Sequence, residues 1–215
     1  MTIQNFGKAV LLASTLFAAS SQASVAHFTL DATPGDYISG GQAVDNLYLS
    51  SNPLLEWNWA NFHNVGTPDA PAADSVSFTY LLSLAAGPDD QFAQLTFATA
   101  TGQGAALEAG KTYTNAERAP FASFGHPGLE VNYDHRGCNT LTGDFTVNKL
   151  SFQNGELGEF GASFNQSCDG GALMHGSFYY NASLDALPPS DVPEPATLAL
   201  LGLGVAGAAA ARRRN

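Results

Sequence analysis

Five histidines and two cysteines are the side chains best suited to hold a metal ion, but their spacing does not favour one. No two histidines are separated by one or three residues, and no Cys/His spacing of the zinc-site type occurs. Asp89 and Asp90 follow Gly87 as oxygen donors, yet the ligand ladder of a calcium loop is missing. We therefore expect no metal and no cofactor. The histidines are His27, His63, His126, His135 and His175.

The sequence contains no recognisable arrangement of residues for nucleophilic catalysis. A Gly-x-Ser-x-Gly elbow is absent, and Ser, His and Asp are too numerous for a triad to be chosen without geometry. Paired carboxylates of the glycosidase type depend on a spatial separation that the sequence does not provide. We expect a non-enzymatic protein. An exported hydrolase ranks third among the functions that the sequence allows.

Trp57 and Trp59 are the aromatic residues best placed to bind a ligand. On a strand their side chains point the same way about 6.6 Å apart, which suits stacking against a sugar ring, and Asn58 and Asn61 lie nearby. The other interpretation is that both indoles fill the core beside Leu55. We favour the core, because large aromatic rings dominate cores more often than grooves. A glycan platform formed by the two indoles stays as the alternative.

The Asn-Gly dipeptide at 154–155 gives the best local prediction, a β-hairpin. Asn-Gly suits the two positive φ angles of a type I′ turn. A two-residue loop places Phe152 opposite Leu157 and Phe145 opposite Phe164, so that apolar residues meet. The apolar parity, meaning whether apolar residues stand at odd-numbered or even-numbered positions, changes midway along both strands. This change predicts a bulge, or a hairpin that passes from one packing environment to another.

The same register brings Cys138 and Cys168 near each other. Cys168 falls opposite Leu141, three residues from Cys138, at the open end of the hairpin. In an oxidising compartment, two cysteines in an exported chain most simply form a disulfide. Closing a loop of about 30 residues stabilises a fold by about 3 to 4 kcal/mol in the chain-entropy model. A reactive thiol or a thiol ligand to a metal is the less favoured interpretation.

Alternation of apolar and polar residues identifies the elements that must position these side chains. Phe28 and Leu30 alternate on one strand, and Val76, Phe78 and Tyr80 share one face of another. Turn residues separate such runs, and no run sustains a helical stripe. We predict an all-β fold, a single antiparallel β-sandwich, flanked by an N-terminal signal helix and a C-terminal transmembrane helix.

The charge of the chain excludes one class of partner. The 215 residues carry 8 Lys and Arg against 19 Asp and Glu, a net charge of −11. Between residues 24 and 190 there are four cations against 17 acids, which leaves −13. Such a negative balance does not favour binding to nucleic acid or to an anionic membrane surface. Half of the eight cationic residues lie in the terminal segments.

Residues 1–23 have the composition of a secretory signal peptide. One cation, Lys8, precedes an apolar run at 9–19, and the small residues Ser21 and Ala23 stand at −3 and −1 of a cleavage point. We therefore expect the Sec translocon and signal peptidase as partners.

The segment 193–215 has three ordered parts. Pro193-Glu194-Pro195 comes first, an apolar run at 196–211 follows, and Arg212-Arg213-Arg214 closes it. Sixteen helical residues reach about 24 Å, and arginine side chains can extend that reach to the interface. Because arginines favour the cytoplasmic side, they orient the folded domain outside. We predict a transmembrane helix at 196–211.

These three parts closely resemble the PEP-CTERM sorting signal of Gram-negative bacteria, also catalogued as the ice-binding protein C-terminal motif. The resemblance covers about 24 residues. It implies a tail that is held in the inner membrane and cut near Pro193-Glu194-Pro195 by an exosortase, in organisms that make exopolysaccharide. The Thr-x-Thr ladder of an ice-binding face is absent.

A second resemblance spans most of residues 28–181. It is to a recurrent extracellular β-domain of secreted bacterial proteins, for which no biochemical function is assigned, and it implies a β-sandwich and a disulfide without catalytic residues. It is carried by the segment 35–42, Ala119-Pro120-Phe121, His126-Pro127-Gly128-Leu129, Arg136-Gly137-Cys138-Asn139, Gly143-x-Phe145-x-Val147, Phe164-x-Gln166-x-Cys168 and the segment 176–181.

The sequence thus predicts a signal peptide at 1–23, a β-sandwich domain at 24–187, a linker at 188–192 and a sorting signal at 193–215. The expected function is that of an exported surface or extracellular-matrix protein, non-enzymatic, associated with exopolysaccharide or biofilm. It is anchored transiently in the inner membrane and then reaches the cell surface or the exterior. The alternative is a carbohydrate-binding module that uses Trp57 and Trp59.

Overall fold

The computed structural model describes residues 25–49, 59–81 and 92–182, and this part of the chain is all-β without a helix. Ten strands account for its regular structure. They are Val25–Leu30 (β1), Val44–Leu49 (β2), Trp59–Asn64 (β3), Ala73–Leu81 (β4), Phe92–Ala98 (β5), Thr112–Arg118 (β6), Gly128–Tyr133 (β7), Leu141–Gln153 (β8), Glu156–Cys168 (β9) and Leu173–Tyr180 (β10).

All ten strands belong to one curled sheet of the half-barrel type, in the order β2-β1-β10-β9-β8-β6-β7-β5-β4-β3. The predicted all-β class is confirmed, but the two-sheet sandwich is not. The physical reason lies at β6, which bonds to β8 on one side and to β7 on the other, so that no break separates the two halves.

One strand pair departs from the predicted antiparallel pattern. β6 and β7 run parallel, with Glu117 opposite Gly128 and Arg118 opposite Leu129. The connecting segment 119–127 turns back beside β6, and the Glu117 amide donates to the Pro127 carbonyl at 2.9 Å. β7 therefore starts next to the end of β6 and continues in the same direction, which makes the sheet mixed.

The core lies on the concave side of the curl, where aromatic rings from the two halves meet. The ring centroid of Phe78 on β4 lies 5.2 Å from that of Phe160 on β9 and 4.5 Å from that of Phe178 on β10. Phe97 on β5 approaches Phe145 on β8 at 5.4 Å. All five rings are fully buried. Burial of such rings is the main favourable term in folding.

The hairpin of β8 and β9 confirms the predicted turn and register. The φ angles at 154 and 155 are 54° and 82°, as a type I′ turn requires. Phe145 pairs with Phe164, and Phe152 pairs with Leu157. Between these pairs the register shifts once on each strand, so that the residues at 148 and 158 are extra. These two bulges account for the change of apolar parity midway along the hairpin.

The predicted signal helix at 1–23, the linker at 188–192 and the transmembrane helix at 196–211 lie outside the described residues. Within the described ranges, no helix is long and apolar enough to cross a membrane.

Candidate functional site

The predicted disulfide between Cys138 and Cys168 is present. The two Cα atoms are 5.1 Å apart, and both residues are buried. Cys168 ends β9 and stands opposite Leu141, the first residue of β8, as the predicted register requires. The bond therefore joins the chain after β7 to the end of the long hairpin.

A carboxylate reinforces the same junction. Asp169 Oδ1 accepts hydrogen bonds from the Thr140 amide at 2.7 Å and from Thr140 Oγ1 at 3.0 Å. Its other oxygen accepts from Asn139 Nδ2 at 3.2 Å. These donors favour the ionised form and hold the pKa of the Asp169 carboxyl below its usual range. The start of β8 is thus tied to the end of β9 by hydrogen bonds beside the disulfide.

Trp59 lies on the outer face of the sheet, and the interpretation that it fills the core is wrong. Its side chain is 41% exposed, whereas the alternate residues Ala60 and Phe62 point toward the core. The Phe62 ring lies 5.1 Å from the ring of Phe152 on β8. Because side chains alternate along a strand, this contact turns Trp59 outward. Trp57 lies outside the described residues, so the two-indole platform stays a prediction.

The outer face of β3, β4, β5 and β7 continues from Trp59 as two rows of side chains that cross all four strands. The strand registers set these rows, and the residues that alternate with them on β4 and β5 are largely buried in the core. We call them the outer rows. The first consists of Trp59, Thr79, Gln94 and Asn132, and the second of Asn61, Ser77, Thr96 and Glu130.

Hydrogen bonds between neighbouring strands order the outer rows. Ser77 Oγ lies 3.0 Å from Thr96 Oγ1, and Asn132 Nδ2 donates to Gln94 Oε1 at 3.1 Å. Asn61 Oδ1 accepts the Phe62 amide at 2.8 Å. Asn61 Oδ1 is therefore engaged, while Asn61 Nδ2 donates no hydrogen bond to another residue of the described ranges. This face combines an exposed aromatic ring with positioned neutral polar groups.

A surface depression of about 280 Å³ lies at the Trp59 end of the outer rows. His63 borders it, and His63 Nδ1 lies 2.9 Å from Asp74 Oδ1. The depression is therefore walled by one indole and by small polar side chains. Its lining consists of Trp59, Asn61, Phe62, His63, Ser75 and Ser77.

Glu130 and Arg118 form the charged end of the outer rows. Arg118 Nε donates to Glu130 Oε2 at 3.0 Å, and the Glu130 side chain is 9% exposed. Burial raises the pKa of the Glu130 carboxyl, and the Arg118 guanidinium opposes that rise. The guanidinium also lies 5.3 Å from the centre of the Phe121 ring. The pair leaves this end of the face close to neutral.

The histidines are dispersed over the sheet. His27 pairs with Asp45 at 2.6 Å, and His126 lies 3.4 Å from a Glu117 oxygen. Over residues 25–49, 59–81 and 92–182, no group of three or more His, Cys, Asp or Glu side chains is placed to hold a metal ion. The Asp89-Asp90 turn lies outside these ranges.

Sequence reasoning missed the polar partners of Trp59 on the other strands. A signal for them existed, because Ser75, Ser77 and Thr79 alternate with the core residues of β4, and Gln94 and Thr96 do so on β5. Alternation predicts that such residues face outward together. It does not predict which strands are neighbours.

Comparison with known proteins bears on the segment that follows the β-domain. Residues 191–214 match the family model of the PEP-CTERM protein-sorting motif. No curated protein and no solved structure matches this chain. The match covers Pro193-Glu194-Pro195, the apolar run and the arginines, and it supports export and processing by an exosortase at the membrane. The chain therefore carries a PEP-CTERM protein-sorting motif at residues 191–214.

Proposed function

We propose that this chain is a non-enzymatic component of the cell surface or extracellular matrix, associated with exopolysaccharide or biofilm. The sorting motif at 191–214 is the observation that carries the proposal. The buried disulfide between Cys138 and Cys168 supports it, because such bonds persist in oxidising compartments outside the cytoplasm. The excess of acidic residues supports a soluble surface protein.

The proposed route begins at the Sec translocon, and signal peptidase removes residues 1–23. The predicted transmembrane helix at 196–211 then holds the protein in the inner membrane, with Arg212, Arg213 and Arg214 on the cytoplasmic side and the β-domain outside. An exosortase cuts near Pro193-Glu194-Pro195, and the released domain moves to the surface or the matrix.

The motif can be tested by fractionating cells that express epitope-tagged full chain. Pro193→Ala/Pro195→Ala changes the motif, and Pro188→Ala/Pro189→Ala is the matched control, with the same chemistry outside it. We expect the motif variant to stay in the inner membrane at its unprocessed mass, while the control reaches the surface at the processed mass. Surface delivery of the motif variant at the wild-type level would contradict the proposed route.

The association with polysaccharide has its own test. In cells that cannot make exopolysaccharide, we expect the processed protein to appear in the culture medium and to be lost from the matrix fraction. Equal retention in both kinds of cell would contradict the association while leaving the sorting route intact.

Carbohydrate binding is the second candidate function, and the exposure of Trp59 favours it. An indole that is 41% exposed beside neutral polar groups can stack on a sugar ring. Trp57 and Trp59 together form the proposed platform. Loss of retention on a polysaccharide column in Trp59→Ala, with unchanged thermal stability, is the expected result.

A further inference from the structure

We infer that the outer rows bind an uncharged hexose polysaccharide, with one pyranose ring stacked on Trp59 and the polymer lying across β3, β4, β5 and β7. This inference rests on the carbohydrate-binding function proposed above, and it adds the binding surface, the direction of the polymer and the charge class of the ligand.

The stacking position is set by the packing behind Trp59. The rings of Phe62 and Phe152 pack with centroids 5.1 Å apart. This contact fixes which residues of β3 face the core, and the alternate residues, Trp59 among them, face outward. The indole is therefore presented from a strand that is bonded along its length to β4. A rigid aromatic ring on a regular strand binds at a smaller entropic cost than a ring on a mobile loop. The apolar C–H face of a pyranose ring is its natural partner, because the indole face carries negative charge density.

The hydrogen-bonding position lies directly beside the indole. The depression of about 280 Å³ at this point is lined by Asn61, Ser75 and Ser77 as well as Trp59. Hydroxyl and amide groups can both donate to and accept from sugar hydroxyls. A hexose that stacks on the indole thus meets neutral polar partners at its rim.

The direction of the polymer follows from the strand registers. The outer rows cross four strands, and neighbouring strands are about 4.8 Å apart, so each row spans about 14 Å. This length accommodates more than one pyranose ring. Glu130 itself is buried. Partly exposed polar residues continue along the first row as far as Asn132 and along the second as far as Thr96, so the surface suits a polymer better than a single sugar.

The charge class of the ligand follows from the contrast between this face and the rest of the domain. Residues 24–190 carry four cations against 17 acids, a net charge of −13, so the domain repels acidic polymers. The outer rows contain one carboxylate, Glu130, and Arg118 pairs with it at 3.0 Å. Beside the depression, the Asp74 carboxylate pairs with His63 Nδ1 at 2.9 Å. Neither row contains a cationic side chain that could attract uronic acid or sulfate groups. An uncharged polymer meets neither repulsion nor an unpaired charge here.

The test uses the processed protein recovered from the cells that export it. Its mobility is measured in native gels that contain hydroxyethylcellulose or galactomannan as uncharged probes, or alginate as the acidic probe. Variants are Trp59→Ala, Trp59→Phe and Asn61→Ala. Tyr37→Ala is the matched control, because Tyr37 is a 57% exposed aromatic residue on the β1–β2 connection. Thermal unfolding of each variant checks that the fold is intact.

We expect retardation by at least one uncharged probe and none by alginate. Trp59→Ala should weaken binding by about tenfold or more, Trp59→Phe by less because a ring remains, and Asn61→Ala by a few fold. Tyr37→Ala should bind as the wild type does. Binding should change little between low and high salt, because the ligand carries no charge.

Three results would overturn the inference, and they separate it from the function on which it rests. Retardation by alginate alone would leave carbohydrate binding in place but reverse the charge class. Binding of an uncharged probe that survives Trp59→Ala in a folded variant would leave the function in place but move the site. Failure of the wild type to bind any probe would remove both the inference and the carbohydrate-binding function.

Discussion

Removal of the disulfide tests the link between the hairpin register and the stability of the whole sheet. The bond between Cys138 and Cys168 closes a loop with a sequence separation of 30. In the chain-entropy model, a loop of this length corresponds to about 3.6 kcal/mol at 25 °C. For a domain of this size, each kcal/mol changes Tm by about 2 to 4 °C, so we expect a decrease of about 7 to 14 °C.

The assay is thermal and urea unfolding of the exported protein, with three comparisons. Wild type with and without reductant isolates the cross-link, because both sulfurs stay in place. Cys138→Ala/Cys168→Ala should lose a similar free energy and should no longer respond to reductant. The slope of the urea transition should rise when the cross-link is lost, because the unfolded chain then exposes more surface. Both cysteines are buried, so alanine is a better replacement than serine, whose hydroxyl would lack a partner.

The reasoning fails if the reduced protein and the double variant both lose less than about 1 kcal/mol of unfolding free energy. The chain-entropy model assigns a larger closure free energy to a 30-residue loop. A large loss in the double variant without any effect of reductant on the wild type would also contradict it. That result would assign the stability to side-chain packing at the two positions.

Three further changes probe the sheet, each by urea unfolding. Asp169→Asn should lower the free energy of unfolding at neutral pH. Because the pKa of the carboxyl is depressed in the folded state, its contribution to stability is present above the ordinary carboxyl range and is lost as the pH falls. The unfolding free energies of wild type and variant should therefore converge in acid. Gly143→Ala should cost about 1 to 3 kcal/mol, because an added Cβ would lie 2.1 Å from the Asn165 carbonyl oxygen, while Thr142→Ala on the same strand should be nearly neutral. Phe78→Ala should cost about 3 to 5 kcal/mol, since its ring meets three other aromatic rings. A pH-independent loss in the first variant, or a neutral effect in either of the others, would contradict the corresponding contact.

Predictions from the sequence were accurate where neighbouring residues carry the information. The Asn-Gly turn at 154–155 sets the register of β8 and β9, and the register in turn places Cys168 opposite Leu141. The change of apolar parity left a bulge and a change of packing environment open, and the structure contains bulges. The sorting motif could be read because its three parts are consecutive in the chain. Each of these features depends on local geometry or on linear order.

The orientation of Trp59 was decided by tertiary structure. Along β3 an aromatic residue occurs on each parity, Trp59 on one and Phe62 on the other, so alternation alone does not tell which faces the core. The contact between Phe62 and Phe152 selects the buried parity. General preferences for buried indoles therefore gave the wrong answer at this position.

The sequence by itself determined the all-β class, the disulfide, the hairpin register and the sorting motif, because short-range backbone chemistry and linear order specify them. Only the tertiary structure decided that the strands form one curled sheet and that β6 and β7 run parallel. It also decided that Trp59 stands at the end of two neutral polar rows. Strand neighbours far apart in the chain are chosen by long-range packing of the aromatic core, and that choice brings side chains from β3, β4, β5 and β7 onto one surface.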